Sequence, residues 1–92
     1  MTNKSQTKKD PKLDLRAMGR RIRELRGFDR NQVQFARVLD VTQAQLSKYE
    51  RGLSIPPLGV LLRLKHHYGK SIDWIVTGEE LSEAEGSVKN SV

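Results

Sequence analysis

The six residues from Gln43 to Lys48, QAQLSK, bring together two amides, a methyl, a hydroxyl and an ammonium group. On a helix, Leu46 points to one side while Gln43, Ala44, Gln45, Ser47 and Lys48 lie mostly on the other. Such groups match base-pair edges: glutamine can bond adenine through two contacts, lysine can reach the guanine acceptors, and an alanine methyl can touch the thymine methyl. A face selected only for solubility tends towards Glu and Lys. An ordinary polar face is the competing reading of any isolated glutamine-rich stretch.

Placing these groups requires two short helices within Gln32 to Gly52, QVQFARVLDVTQAQLSKYERG. Phe35, Ala36 and Leu39 recur at helical intervals and give the first helix an apolar face, with Gln32, Gln34 and Arg37 pointing elsewhere. Asp40 and Val41 break the pattern. Thr42 is a good N-cap for the second helix, whose apolar residues are Leu46 and Tyr49. Gly52 supplies the stop, since glycine tolerates the left-handed conformation just past a helix end. Ala36 is small where two steeply crossing backbones approach.

The segment resembles the helix-turn-helix of the lambda-repressor-like, Xre/Cro-type DNA-binding proteins. The resemblance is carried by Gln32, Phe35, Ala36, Val41, Leu46 and the closing Tyr49-Glu50-Arg51-Gly52. It continues through Arg20 to Arg26, similar to the family's first helix, Pro56-Pro57 with Leu61 to Leu64, similar to its fourth, and Ser71 to Gly78, similar to its fifth. About residues 14 to 79 are covered. The chain departs from the pattern at Asp40, where the family usually has Gly, and Asp should hold the turn at modest cost. It departs also at Gly27-Phe28-Asp29-Arg30, a connection about one residue shorter than the common one.

The resemblance implies an all-α, compact five-helix domain with helices two and three as the helix-turn-helix. It implies that Gln43, Ala44 and Lys48 face base edges. Gln32, Thr42, Gln45 and Arg51 are expected at phosphates or at the edge of the reading surface. Arg26 and Glu50 match positions that form a partly buried ion pair between helices one and three.

The 92 residues suit one small domain with tails. Ten Lys/Arg against four Asp/Glu in residues 1 to 30, six against two in 31 to 70, and one against five in 71 to 92 leave a basic body and an acidic end. A basic surface attracts phosphates. Without cysteine neither a disulfide scaffold nor a thiolate metal site is available. The polar opening MTNKSQTKKD does not read as a secretory signal and no stretch approaches membrane-spanning length, so a cytoplasmic protein is expected.

The coarse organisation is a basic, disordered tail over 1–12, a domain over 13–79 and a flexible acidic tail over 80–92. Asp14 caps helix one, with an apolar stripe of Leu15, Met18, Ile22 and Leu25. Helix two is expected from Gln32 to Leu39 and helix three from Gln43 to Arg51. Pro57 fits the first position of helix four, which Leu58, Leu61, Leu62 and Leu64 make largely core. Gly69 stops it, Ser71 caps helix five and Gly78 ends that helix. Trp74, with Ile72, Ile75 and Val76, is expected to be buried, with part of that surface available for a dimer contact.

No enzyme chemistry emerges. His66 and His67 are adjacent and diverge by about 100° on a helix, so they do not chelate. Gly69-Lys70-Ser71 resembles the end of a phosphate-binding loop, but Leu64 occupies the required first glycine and no strand precedes it. No catalytic residues, metal or cofactor are expected. The expected function is a sequence-specific double-stranded DNA-binding regulator of transcription, a repressor, acting as a homodimer at least on DNA at a palindromic operator. The alternative is a protein-interaction module, an antitoxin or adaptor, capturing a protein partner through its tails.

Overall fold

The structure is a computed structural model, and it describes residues 12–79. The tails expected over 1–12 and 80–92 lie outside those residues except for residue 12. Five helices follow in order: α1 (Leu15–Arg26), α2 (Gln32–Leu39), α3 (Gln43–Glu50), α4 (Leu58–Tyr68) and α5 (Ile72–Thr77). No strand occurs among the described residues. The fold is all-α.

Local chemistry sets most boundaries. The Asp14 carboxylate accepts the Ala17 N–H at 3.1 Å and starts α1. Asn31 and Thr42 start α2 and α3 with reciprocal capping boxes. In each, the cap side chain accepts the N–H of the third helical residue, a glutamine whose own carbonyl oxygen accepts the cap N–H. Each cap is worth about 1 kcal/mol. Ser71 Oγ accepts the Trp74 N–H at 2.9 Å and starts α5.

Helix ends repeat one device. At the end of α2, Val41 N–H donates to Ala36 O and Asp40 N–H to Arg37 O. At the end of α3, Leu53 N–H donates to Lys48 O and Gly52 N–H to Tyr49 O. Both pairs are Schellman closures, which need a left-handed residue just past the helix. Gly52 takes that conformation with φ 74°, and Asp40 takes it with φ 59° where a glycine would be unstrained.

The core draws a fully buried side chain from every helix: Ile22, Phe35 and Leu39, Leu46, Leu64, and Ile75. Each contributes on the order of 2 kcal/mol by leaving water. Met18 joins Ile22 in the core, with Leu15 and Leu25 packed at its margin, as the stripe on α1 predicts. Trp74, Ile72 and Val76 pack at the margin around Ile75.

Two expectations about α4 need correction. Pro57 is not its first residue but its N-cap, with extended ψ of 160°, and its carbonyl accepts the N–H groups of Val60 and Leu61. Leu58 and Leu62 are not core. They are 63% and 50% exposed, while Val60, Leu61 and Leu64 are buried. Leucines at 58, 61, 62 and 64 spread over more than one face of a helix, and only the 60/61/64 face meets the domain.

Arg30 closes the short α1–α2 connection. It donates from Nε to Arg26 O at 3.2 Å and from Nη2 to Leu25 O at 3.1 Å, binding the last carbonyls of α1. Its guanidinium lies 5.5 Å from the Phe35 ring centre and 4.9 Å from that of Tyr68, so it also stacks on α2 and α4. One side chain ties three helices where the loop is brief.

Candidate nucleic-acid interface

The outer face of α3 carries the residues singled out by their chemistry. Gln43, Ala44, Gln45 and Lys48 are all exposed, whereas Leu46, Tyr49 and Glu50 on its inner face are buried. The helix is therefore polar outward because its apolar residues face inward. Thr42 and Arg51 flank it at either end and are exposed.

What fixes α3 is its contact with α1. Gly19 lies against the last carbonyls of α3, and a Cβ at that position would overlap the Glu50 carbonyl. Gly52, just past α3, abuts the backbone of Arg16, with only 2.8 Å between the Arg16 Cα and a Cβ placed there. The two glycines let the backbones of α1 and α3 approach, and larger side chains would lift α3 off the domain.

Charge completes the joint. Arg26 Nε donates to Glu50 Oε2 at 2.8 Å and Arg26 Nη2 to Glu50 Oε1 at 3.0 Å. This fork is the expected helix-one to helix-three pair. The Glu50 side chain is 4% exposed and that of Arg26 17%, so the carboxylate is stable there because the guanidinium satisfies both oxygens. Arg26 Nη1 additionally donates to Arg30 O at 3.3 Å.

Gln32 joins this network, which its sequence position did not suggest. Its Nε2 donates to Glu50 Oε1 at 2.9 Å, and its Oε1 comes to 3.5 Å from Gln43 Nε2. A chain of polar contacts thus runs from Arg26 through Glu50 and Gln32 to Gln43. At the same end of α3, the Gln45 carbonyl oxygen is occupied by the Thr42 N–H at 2.8 Å. At the other end, Arg51 Nε folds back onto Ser47 Oγ at 3.2 Å and Ser47 O at 3.3 Å.

Of the expected site residues, the structure places Gln32 and Gln43 together at the start of the exposed face of α3, with Ala44 beside them and Lys48 one turn further on. Arg51 stands apart at the far end. Four positions that shape the site went unnoticed in the sequence: Gly19, Arg30, Asn31 and Gln34. The spacings Asn31-x-x-Gln34 and Thr42-x-x-Gln45 were the available signal for the capping boxes; nothing local marks Gly19.

His66 and His67 are exposed, with ring centres 5.0 Å apart and planes at 78°. Among the described residues no group of His, Cys, Asp and Glu is arranged to hold a metal ion, and no helix is long and apolar enough to cross a membrane. Gly69, with φ 73°, ends α4 and Ser71 caps α5, so Gly69-Lys70-Ser71 is a helix stop and a cap.

A family model described as Helix-turn-helix matches residues 20–75, from within α1 into α5 and over more than half of the chain. Comparison with curated proteins and with solved structures gives no match. The matched span contains the α2–α3 pair, both Schellman closures and the Arg26–Glu50 fork. The chain belongs to the helix-turn-helix family of DNA-binding proteins, in its lambda-repressor-like, Xre-type branch.

Proposed function

We propose that this chain is a sequence-specific transcriptional repressor of the cytoplasm that reads the DNA major groove with α3. Gln43, Ala44 and Lys48 face the base edges in this reading. A homodimer on a palindromic operator is the binding form, and the family, whose members are DNA-binding regulators and generally not enzymes, supports the class of activity. Repression needs only occupancy of the operator.

The observation that carries the reading is the contrast between the two faces of α3. One is anchored by Leu46, Tyr49 and Glu50, and the other offers amides, a methyl and an ammonium group to solvent. A reading helix held in advance loses less freedom on binding than a mobile one.

Phosphate contacts follow from the spare capacity of the flanking groups. A glutamine amide has two N–H donors, and Gln32 uses one on Glu50. Thr42 Oγ1 accepts from Gln45 N–H and keeps its own hydroxyl proton for a phosphate. Gln45 retains its NH2 group as a donor. The first N–H groups of α2 and α3 lack intrahelical acceptors and point outward from positive helix ends, which suits phosphate. Arg51 adds charge at the far end. These contacts position the domain, and the three α3 side chains specify.

Selecting bound sites from random duplex DNA tests the proposal. Enrichment of a motif with two related half-sites is the expected result. Recovery of an unenriched pool overturns sequence-specific reading and leaves the interaction module as the account of this domain.

A further inference from the structure

α1 presents charge that the rest of the domain does not answer. It carries Arg16, Arg20, Arg21, Arg23 and Arg26 against one carboxylate, Glu24, and of these arginines only Arg26 meets a carboxylate among the described residues. Arg20 and Arg23 are exposed. With Glu24, Gly27 and Phe28 they line a groove of about 520 Å3 on the outer side of the helix. Phe28, 108% exposed, stands at the end where α1 passes into the α1–α2 connection.

The chain leaves α5 beside the same helix. Arg21 Nη1 donates to Ile75 O at 3.3 Å, a Cβ at Gly78 would come within 3.0 Å of Arg21 Nη2, and Arg21 and Glu79 line a common groove. The sequence from that point is acidic: Glu79-Glu80-Leu81-Ser82-Glu83-Ala84-Glu85 holds a carboxylate at 79, 80, 83 and 85, no cation, and one large apolar side chain. From Arg21 to Gly27 is about 9 Å along α1, and the residues from 80 to 85 span up to about 20 Å when extended. The acidic stretch reaches the arginine groove from where it is tethered.

We propose that residues 80–85 of this chain occupy the α1 groove, with their glutamates on Arg20 and Arg23, and that they mask this face from other polyanions. Each ion pair at such an exposed site is weak alone. The tether compensates, holding the segment at an effective concentration on the order of millimolar. Leu81 covers the apolar stems of the arginines, which remain available while their charged heads pair. Glu24, the one carboxylate in the groove, opposes the segment and keeps the docking weak enough for a competing polyanion to displace it. The proposal holds whether or not α3 reads DNA.

The sequence has no cysteine, so Ser87→Cys in the full chain carries a single nitroxide just past the segment. Its effect is read on the amide signals of the 15N-labelled protein. A tether alone brings the nitroxide near α5 whatever the charges, so the same label is placed in a chain that also carries Glu80→Gln, Glu83→Gln and Glu85→Gln, and in one that carries Arg20→Ser and Arg23→Ser. The expected result at low salt is broadening of residues 20–28 that falls at least about twofold in both variants, and likewise in the parent at roughly 1 M salt, where charges farther apart than about 3 Å are screened. Unchanged α3 to α5 signals certify the fold of the arginine variant, and the glutamine variant carries the comparison should that one unfold. Equal broadening in the parent and the glutamine variant overturns the proposal. Broadening of a 15N chain without the nitroxide, mixed with unlabelled chains that carry it, assigns the groove to a second copy and overturns docking within one chain. Heparin, a polyanion with no base sequence, is expected to abolish the broadening; broadening that survives heparin refutes the masking.

Discussion

Arg26, the last residue of α1, and Glu50, the last residue of α3, meet in a two-pronged contact of 2.8 and 3.0 Å. The two residues are 24 positions apart in the chain and fasten the end of α3 to the end of α1. Breaking one partner leaves the other charged and largely out of water. Glu50→Gln is expected to lose about 3 kcal/mol of stability, and Arg26→Met a similar amount. The double variant should lose less than the sum, with a coupling of about 1 kcal/mol or more. Urea unfolding of the four proteins measures it, and simple additivity would show that the fork contributes nothing of its own.

Gln43→Ala is expected to weaken binding to the selected site by about 1 to 3 kcal/mol and to relax preference at one base pair. Binding to scrambled DNA should hardly change. Titration of both duplexes at one salt concentration makes the comparison, and equal losses on the two would remove Gln43 from the reading surface.

Gln32→Ala should act partly through Gln43, whose amide it faces at 3.5 Å. In a cycle of single and double variants on the selected site, the two substitutions are expected to be coupled by about 0.5 kcal/mol or more. Independent effects would show that the Gln32–Gln43 contact carries no part of base recognition.

Gly19→Ala puts a methyl where the carbonyl of Glu50 already lies. The obstacle is backbone, which cannot rotate away, so a loss of about 2 to 3 kcal/mol is expected from overpacking. Thermal unfolding checks this. A Gly19→Ala variant as stable as the parent would mean that α1 and α3 are not held at this distance.

Asp40 is the one non-glycine residue with positive φ among those described. Asp40→Val should cost about 2 kcal/mol, because a β-branched residue resists the left-handed region. Asp40→Gly should stay within about 0.5 kcal/mol of the parent, with relief of strain opposed by greater freedom of the unfolded chain. Chemical denaturation distinguishes the two, and equal effects would contradict the conformational account.

The helices were legible because their signals are local. Asp14, Thr42 and Ser71 announce starts, Gly52, Gly69 and Gly78 announce stops, and Phe35/Ala36/Leu39 show which way α2 faces. The outward face of α3 was legible for the same reason. Leu58 and Leu62 were misread as core because leucine marks a helix face only when the helix has a single partner surface; here the connection into α4 leaves one side uncovered. The Arg26–Glu50 contact was available only through resemblance, since spacing says nothing of residues 24 apart. Arg30 was illegible because a loop arginine carries no periodicity, although it binds α1 and stacks on Phe35 and Tyr68.

If α3 is the helix that reads DNA, the capping box at its start limits how much sequence it can tell apart. Gln45 has its carbonyl oxygen turned to the Thr42 N–H, so of two neighbouring glutamines only Gln43 keeps both kinds of hydrogen-bonding group for a base. If Gln43, Ala44 and Lys48 each distinguish one base pair, a single copy separates roughly sixty three-letter words, far too few to mark one address among the millions of competing sites in a genome. In the proposed reading, the start that makes α3 rigid also keeps its vocabulary small, and an unambiguous address would have to be spelled by more than one copy.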